Sequence, residues 1–294
     1  MSFSTICNLF YTLSGKQERQ VIDLKENKVQ ATAPKTQPFG KEAFEKAENT
    51  TIRWLGNSGL FMNSHGTCIM IDPVLIGFDM PLLIDMPITP QDVPHLDSIL
   101  ITHSDNDHFS RETCKALNEV CDTYHTTNYV AELMTEEQIN GGCGHDIYDT
   151  FDIGHIHVKL TPADHAWQNE LKDQNRVFQF EDCCGFYINT PDGSIWVIGD
   201  SRLLDEQLHM PIPDAILFDF SDQSWHIGLD NAIKLANAYP DTNLIFSHWG
   251  SVDASDMEAF NGDPKSLEGR VVNPERIHIL APGEAFELRR INEN

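Results

Sequence analysis

The stretch Ser98-Ile99-Leu100-Ile101-Thr102-His103-Ser104-Asp105-Asn106-Asp107-His108 decides the reading of this chain. The apolar run Ser98 to Ile101 predicts a buried strand. It ends in a loop where His103, Asp105, Asp107 and His108 fall within six residues. Imidazole nitrogen and carboxylate oxygen are the donors that zinc, manganese and iron accept. The bland alternative is a solvated polar turn, in which Asp and Asn are common. The density of metal-capable side chains outweighs it.

Moving outward, the same feature recurs at three more predicted strand ends. Ile156 to Leu160 stops in Thr161-Pro162-Ala163-Asp164-His165. Ile195 to Ile198 stops in Gly199-Asp200-Ser201, and Leu244 to Phe246 in Ser247-His248-Trp249-Gly250. Taken singly, each reads as a polar residue closing a strand. Together they place four ligand-bearing strand ends in one chain, and strand ends on one rim converge on a rigid support.

The rest of the pattern gives the frame. Ile52 to Leu55, Gly59 to Met62 and Thr67 to Ile71 are short β-prone runs separated by turn residues, a meander closed by Asp72-Pro73. A long loop follows, Val74 to Pro94. Ser110 caps a predicted helix from Arg111 to Glu119, Asn128 to Ile139 reads as a second helix, and Gly141 to Gly144 as a breaker. A second β-rich run holds Ile156 to Leu160, Val177 to Phe180, Gly185 to Asn189 and Ile195 to Ile198. Strands at Ala215 to Phe218 and Leu244 to Phe246 then alternate with helices at Leu229 to Ala238 and near Asp256 to Phe260. A last strand pair lies at Ile277 to Leu280 and Ala285 to Leu288. Meander plus helices, stated twice, predicts an α/β fold of the four-layer αββα sandwich type. Residues 49–294 form one domain, and residues 1–48, polar and punctuated by Pro34, Pro38 and Gly40, form an N-terminal extension.

Composition excludes several function classes. The net charge of -25 repels a phosphate backbone and leaves no basic stripe, so no nucleic acid is expected as partner. No apolar run approaches the ~20 residues that span a bilayer, and Met1 to Gly15 lacks the basic start of a secretory signal, so a cytoplasmic protein without membrane partners is expected. The seven cysteines, at 7, 68, 114, 121, 143, 183 and 184, form no C-x-x-C pair and read as reduced thiols. Thirteen histidines raise the prior on metal. A homo-oligomer stays open.

Order and spacing of these motifs resemble the metallo-β-lactamase superfamily over about residues 50 to 290. The resemblance rests on Trp54-Leu55-Gly56-Asn57-Ser58, Ile71-Asp72-Pro73, the His103 to His108 motif, His165, Gly199-Asp200-Ser201 and His248-Trp249-Gly250. The Trp-Leu-Gly opening and the His226-x-Gly stretch look most like the branch of L-ascorbate-6-phosphate lactonase and related metal-dependent hydrolases. The resemblance implies a dinuclear site, with two divalent ions as cofactors, zinc or manganese foremost and iron compatible. One ion takes His103, Asp105 and His165, the other takes Asp107, His108 and His248, and Asp200 bridges them. The family motif H-x-H-x-D-H carries histidine where this chain has Asp105. A carboxylate there favours harder ions. Two divalent ions then face three aspartates and a hydroxide, a neutral cluster and a weaker Lewis acid.

The implied chemistry is attack by a metal-bound hydroxide on a small ester, lactone or phosphodiester. Asp107 orients the hydroxide. His226 is a candidate for stabilising the oxyanion or protonating the leaving group. Arg202, Lys172 and Arg176 are candidate contacts for an anionic substrate, and Trp167, Phe220, Trp225 and Trp249 for the groove wall. Two alternatives remain beside this one. A metal-binding sensor or catalytically degenerate member is motivated by Asp105, and a nuclease is disfavoured by the charge.

Overall fold

Period-two alternation in the first strands sorts their side chains into two separate cores. Ile52, Trp54, Leu60, Met62, Ile69 and Ile71 enter the larger cluster, while Leu55, Phe61, Cys68 and Met70 enter a second one on the opposite face. Such a sheet is covered on both sides. The computed structural model describes residues 30–172 and 176–291. In chain order its strands are β1 Thr51–Gly56, β2 Gly59–Ser64, β3 Thr67–Ile71, β4 Leu96–Leu100, β5 Cys121–Thr127, β6 Gly142–His145 and β7 Thr150–Ile153. They continue with β8 Ile156–Pro162, β9 Cys184–Thr190, β10 Gly193–Val197, β11 Ala215–Phe218, β12 Asn243–Phe246, β13 Ile277–His278 and β14 Ala285–Glu287. The α-helices are α1 Arg111–Leu117, α2 Asn128–Glu136 and α3 Leu229–Ala238.

These strands make two seven-stranded sheets, ordered β14-β1-β2-β3-β4-β5-β6 and β13-β12-β11-β10-β9-β8-β7. The two halves repeat one scheme. β1 to β3 run antiparallel, then β3 to β6 run parallel. β7 to β10 run antiparallel, then β10 to β13 run parallel. Helices α1 and α2 supply Cys114, Leu117, Val130 and Met134 to the outer core of the first sheet. Helix α3 supplies Ala232, Leu235 and Ala236 to the larger cluster, which also fills the space between the sheets. This is the α/β architecture of the αββα sandwich.

Three local readings need correction, and one strand carries no local signal. Val177 to Phe180 is not a strand: Val177 is 70% exposed, and a 3-10 turn, Phe180–Asp182, follows. Gly142–His145 is a strand, not a breaker. A Cβ on Gly144 would lie 2.9 Å from Asn128 Cα, so glycine lets this edge strand pass close under α2. Strand β5 escaped notice because Cys121-Asp122-Thr123-Tyr124-His125 carries one large buried side chain, Tyr124. The helix expected near Asp256 to Phe260 is only a 3-10 turn, Glu258–Phe260. Ser110 does cap α1, its Oγ accepting from Thr113 N at 3.1 Å.

The described part of the extension lies on the domain. Ala33 N donates to Gly250 O at 2.9 Å, and Phe39 stacks on Phe61 with centroids 5.4 Å apart. Gly250 has φ +61, and a Cβ there would stand 2.4 Å from Ala33 N, so the crossing needs glycine. Residues 1–29 of the expected extension lie outside the described residues, as does Cys7. The other six cysteines are free thiols, four of them buried. No helix among the described residues is long and apolar enough to cross a membrane.

Candidate metal centre

Every residue of the centre follows the C-terminal end of a strand. β3 leads to Asp72, β4 to the His103–His108 loop, β8 to His165, β10 to Asp200, β11 to Asp219 and β12 to His248. The Asp200 carboxylate is buried at their meeting point. Around it stand five imidazoles, each through Nε2: His248 at 2.9 Å, His108 at 3.2 Å, His226 at 3.6 Å, His165 at 3.7 Å and His103 at 4.0 Å. Asp107 Oδ2 is 3.8 Å from His108 Nε2. Asp105 Oδ2 is 3.5 Å from His103 Nε2 and 3.4 Å from His165 Nε2. The structure thus brings together all eight residues singled out in the sequence.

Four of the five rings are fixed from behind, which sets their tautomers. His108 Nδ1 donates to Asp72 Oδ2 at 2.8 Å, and His226 Nδ1 to Asp219 Oδ2 at 2.7 Å. His165 Nδ1 donates to the Trp225 carbonyl at 2.8 Å. Thr102 Oγ1 spends its proton on Asp72 Oδ2 at 2.6 Å, so at 3.0 Å it accepts from His103 Nδ1. With Nδ1 protonated, a neutral ring turns its Nε2 lone pair inward, the arrangement that metal-binding histidines need. His248 differs: its Nδ1 is buried without a hydrogen-bond partner among the described residues.

Geometry and charge both fit a cation. His103 Nε2 and Asp200 Oδ1 are buried and make no hydrogen bond. The 2.9 Å approach of His248 Nε2 to Asp200 Oδ1 is an ion-pair distance without hydrogen-bond alignment. Three overlapping donor groups in the centre pack tightly enough to hold an ion, Asp107–His108–Asp200–His248, His103–His165–Asp200 and Asp200–Asp219–His226. Burial opposes charge on Asp200, yet His108, His248 and His226 hold it well below the usual carboxylate range. Burial likewise opposes charge on His108, and Asp200, Asp107 and Asp72 raise it well above the usual imidazole value. His103 is pushed down by burial and by His108.

The structure gives roles to residues that the sequence left without one. Asp72 is fully buried at φ +43, an uncommon backbone region for a non-glycine residue. Its Oδ1 accepts from Thr102 N at 2.8 Å, while its Oδ2 accepts from Thr102 Oγ1 and His108. Asp219 ends the apolar β11 as Asp200 ends β10, a signal that was there to be found. Asn57 explains the Trp-Leu-Gly-Asn opening. Its Nδ2 donates to Asp107 O at 3.0 Å, and its carbonyl accepts from His248 N at 3.1 Å and Trp54 Nε1 at 2.9 Å.

A cavity of about 290 Å³ opens over the centre. Of the four aromatic candidates, Trp167 and Trp225 line it. Phe220 is buried against Phe246, and Trp249 is stacked on Trp54. No Lys or Arg among the described residues lines this cavity. Arg176 is bound to Asp182 and sits 3.7 Å from the Tyr129 ring centroid. Arg202 lines an adjoining polar cavity but pairs with Glu170 Oε1 at 3.2 Å and donates to Ser224 O. Lys172 is exposed.

Comparison with known proteins agrees with this architecture. A family profile described as the beta-lactamase superfamily domain matches residues 67–249. A curated metal-dependent hydrolase of Herpetosiphon aurantiacus is 26% identical over 258 residues, spanning 81% of this chain and 98% of the relative. The solved structure of a metallo hydrolase from the hyperthermophilic archaeon Ignicoccus hospitalis aligns with TM-score 0.63 at 17% identity, over 82% of this chain and 100% of its own. An isothiocyanate hydrolase from Delia radicum gut bacteria aligns with TM-score 0.64 at 18% identity, over 81% and 99%. At such identities the solved structures speak to the fold, and the profile covers more than half of the chain. The chain therefore belongs to the beta-lactamase superfamily domain family.

Proposed function

We propose that this chain is a metal-dependent hydrolase that holds two divalent ions and cleaves a small ester, lactone or phosphodiester. The carrying observation is Asp200, one buried carboxylate within 4.0 Å of five imidazole Nε2 atoms. His103, His165 and Asp105 would hold one ion, Asp107, His108 and His248 would hold the other, and Asp200 would serve both. Zinc and manganese suit this mixed set, and iron is compatible. When bound, such ions supply an activated water and polarise the substrate oxygen.

The remaining work falls to the chain. Asp107, on the cavity wall, orients the attacking water through its carboxylate. His226 faces the cavity with Nε2, and Asp219 holds its Nδ1 proton, so Nε2 is placed to pass a proton to the leaving group. Trp167, Trp225 and Phe260 keep bulk water from the reacting group. The acidic lining, with Asp256 and Glu258 beside the centre, weighs against nucleic acid and favours substrates whose body is uncharged.

The test is elemental analysis of protein purified without added metal, beside hydrolysis of an ester, lactone and phosphodiester panel. About two equivalents, removed by a chelator together with activity and restored on reloading, is the expected result. One equivalent with no turnover would replace this reading with that of a metal-binding sensor.

A further inference from the structure

Asp105 stands where the family motif carries histidine, and the structure shows what the exchange brings. A neutral imidazole has a single acceptor nitrogen. The Asp105 carboxylate accepts from two side chains at once: Trp167 Nε1 at 2.8 Å to Oδ2 and Gln168 Nε2 at 2.7 Å to Oδ1. Both donors lie in the 3-10 turn Trp167–Glu170, two residues beyond His165.

Trp167 and Trp225 both line the cavity. Their ring centroids are 5.6 Å apart with an interplanar angle of 35°. Each residue is tied to a different candidate ligand. Trp167 is bonded to Asp105, and the Trp225 carbonyl accepts from His165 Nδ1. A second bond, from Trp225 N to Gln223 Oε1, braces that residue. Large aromatic faces beside Asp256 and Glu258, with no Lys or Arg lining among the described residues, suit an apolar group better than an anionic one.

We propose that Asp105 fixes Trp167 against Trp225 so that the two rings form one aromatic wall of the cavity, which selects substrates carrying an uncharged, flat apolar group that packs on it. Asp105 is on this account a positioning residue for the pocket as well as a metal donor. The selection of substrate rests on the hydrolase reading, while the wall itself is testable without turnover.

The probes are 2-naphthol and naphthalene-2-sulfonate. Each is titrated into the full-length protein, as purified and after chelation, and binding is followed by broadening of the naphthyl proton signals. Metal content and thermal melting are measured on the same samples. Chelated protein should bind 2-naphthol at least about tenfold more tightly than the sulfonate, the scale of one good aromatic contact. Trp225→Ala should lose about tenfold in 2-naphthol affinity with metal content unchanged, because the carbonyl that holds His165 is kept. Asp105→His should weaken 2-naphthol binding several-fold even if it takes up metal. Trp167→Phe keeps a ring and removes the N–H, and Gln168→Met removes the other donor. If Asp105→His does not fold, these two decide, each with a smaller loss of 2-naphthol affinity at unchanged metal content.

Equal affinity for the two probes, or wild-type 2-naphthol binding in Asp105→His or in both donor variants, would overturn the aromatic wall. Turnover on the hydrolase panel is scored separately. Lost probe selectivity with turnover intact condemns the aromatic wall alone, and intact probe binding without turnover condemns the hydrolase reading alone.

Discussion

Behind His103 and His165 stand a hydroxyl and a peptide carbonyl, whereas behind His108 stands the buried carboxylate of Asp72. The inward-facing donors of the two halves are alike, imidazoles and carboxylates around a shared Asp200. The carboxylates around each ring set the charge, Asp200, Asp107 and Asp72 in the case of His108. Burial and the neighbouring His108 disfavour a proton on His103. Burial disfavours one on His108 too, but three carboxylates overcome it. His103 therefore offers a lone pair at neutral pH, and His108 must give up a proton to receive an ion. Identical donors at equal depth can differ in readiness because of how many carboxylates surround them, within the centre and behind it.

The harshest way to break this comparison is to remove what the halves share. Asp200→Ala takes the bridging carboxylate from both groups. Metal content should fall towards zero, and with the Lewis acid gone activity should drop by about 10³-fold or more. Elemental analysis with a kinetic assay checks both. Retention of one ion at full occupancy would show that the halves do not depend on Asp200 equally.

Asp72 separates the halves more finely. Asp72→Ala leaves Thr102 N, Thr102 Oγ1 and His108 Nδ1 without their acceptor and places alanine at φ +43. Breaking a buried charged pair in this way costs about 3–5 kcal/mol, so a large fall in melting temperature is expected. Asp72→Asn keeps an acceptor and tolerates the backbone angle. It should fold, keep the ion of the His103 half and bind the other about 10- to 100-fold more weakly. Equal weakening of both ions would remove the distinction between the halves.

Legibility in the sequence followed a physical rule. Donors that close apolar strands announce themselves, since a run such as Ile195-Trp196-Val197 has no other reason to stop at a buried acid. His103, His165, Asp200 and His248 were readable for that cause, and the sandwich with them, because doubly covered strands are apolar throughout. Supporting groups have no such signature. Asp72 looked like an ordinary Asp-Pro turn, and only the fold shows its two oxygens serving Thr102 and His108. Gln168 and Trp167 reach Asp105 across more than sixty positions, beyond any local pattern. The glycine-rich β6 was hidden for the opposite reason: a strand packed under a helix without side chains shows no alternation to read.

Acidity sharpens the comparison without any mutation. The raised folded value of His108 means that its charge stabilises the metal-free protein fully below about pH 6.5 and ceases to do so only as pH rises through the higher folded value. The depressed value of Asp200 works in the other direction, present above about pH 3.9 and lost as pH falls through its folded value. An ion competes with the His108 proton, so its affinity for the second half should rise with pH more steeply than for the first. Calorimetric titration near pH 7, in buffers of different ionisation enthalpy, should show the second equivalent releasing about one proton more than the first. Equal release would mean that His108 carries no extra proton.

The smallest expected effect isolates His226, which stands beside both halves and, in this reading, binds neither ion. Burial opposes its charge, but Asp200 and Asp219 raise its pKa. Asp219→Asn keeps an acceptor for Nδ1 and removes one of those anions. Metal content should be unchanged, and kcat should fall by about tenfold, as for other outer residues that orient a working group. If Nε2 delivers a proton to the leaving group, its protonated form is the active one. Lowering its pKa then moves the alkaline limb of the pH–rate profile to lower pH. A fall in kcat with that limb unmoved would reduce His226 to an uncharged hydrogen-bond donor, and loss of an ion would make it a ligand. Because Asp219 contacts neither His103 nor His108 in this structure, such a result would reassign His226 and leave the contrast between the two halves intact.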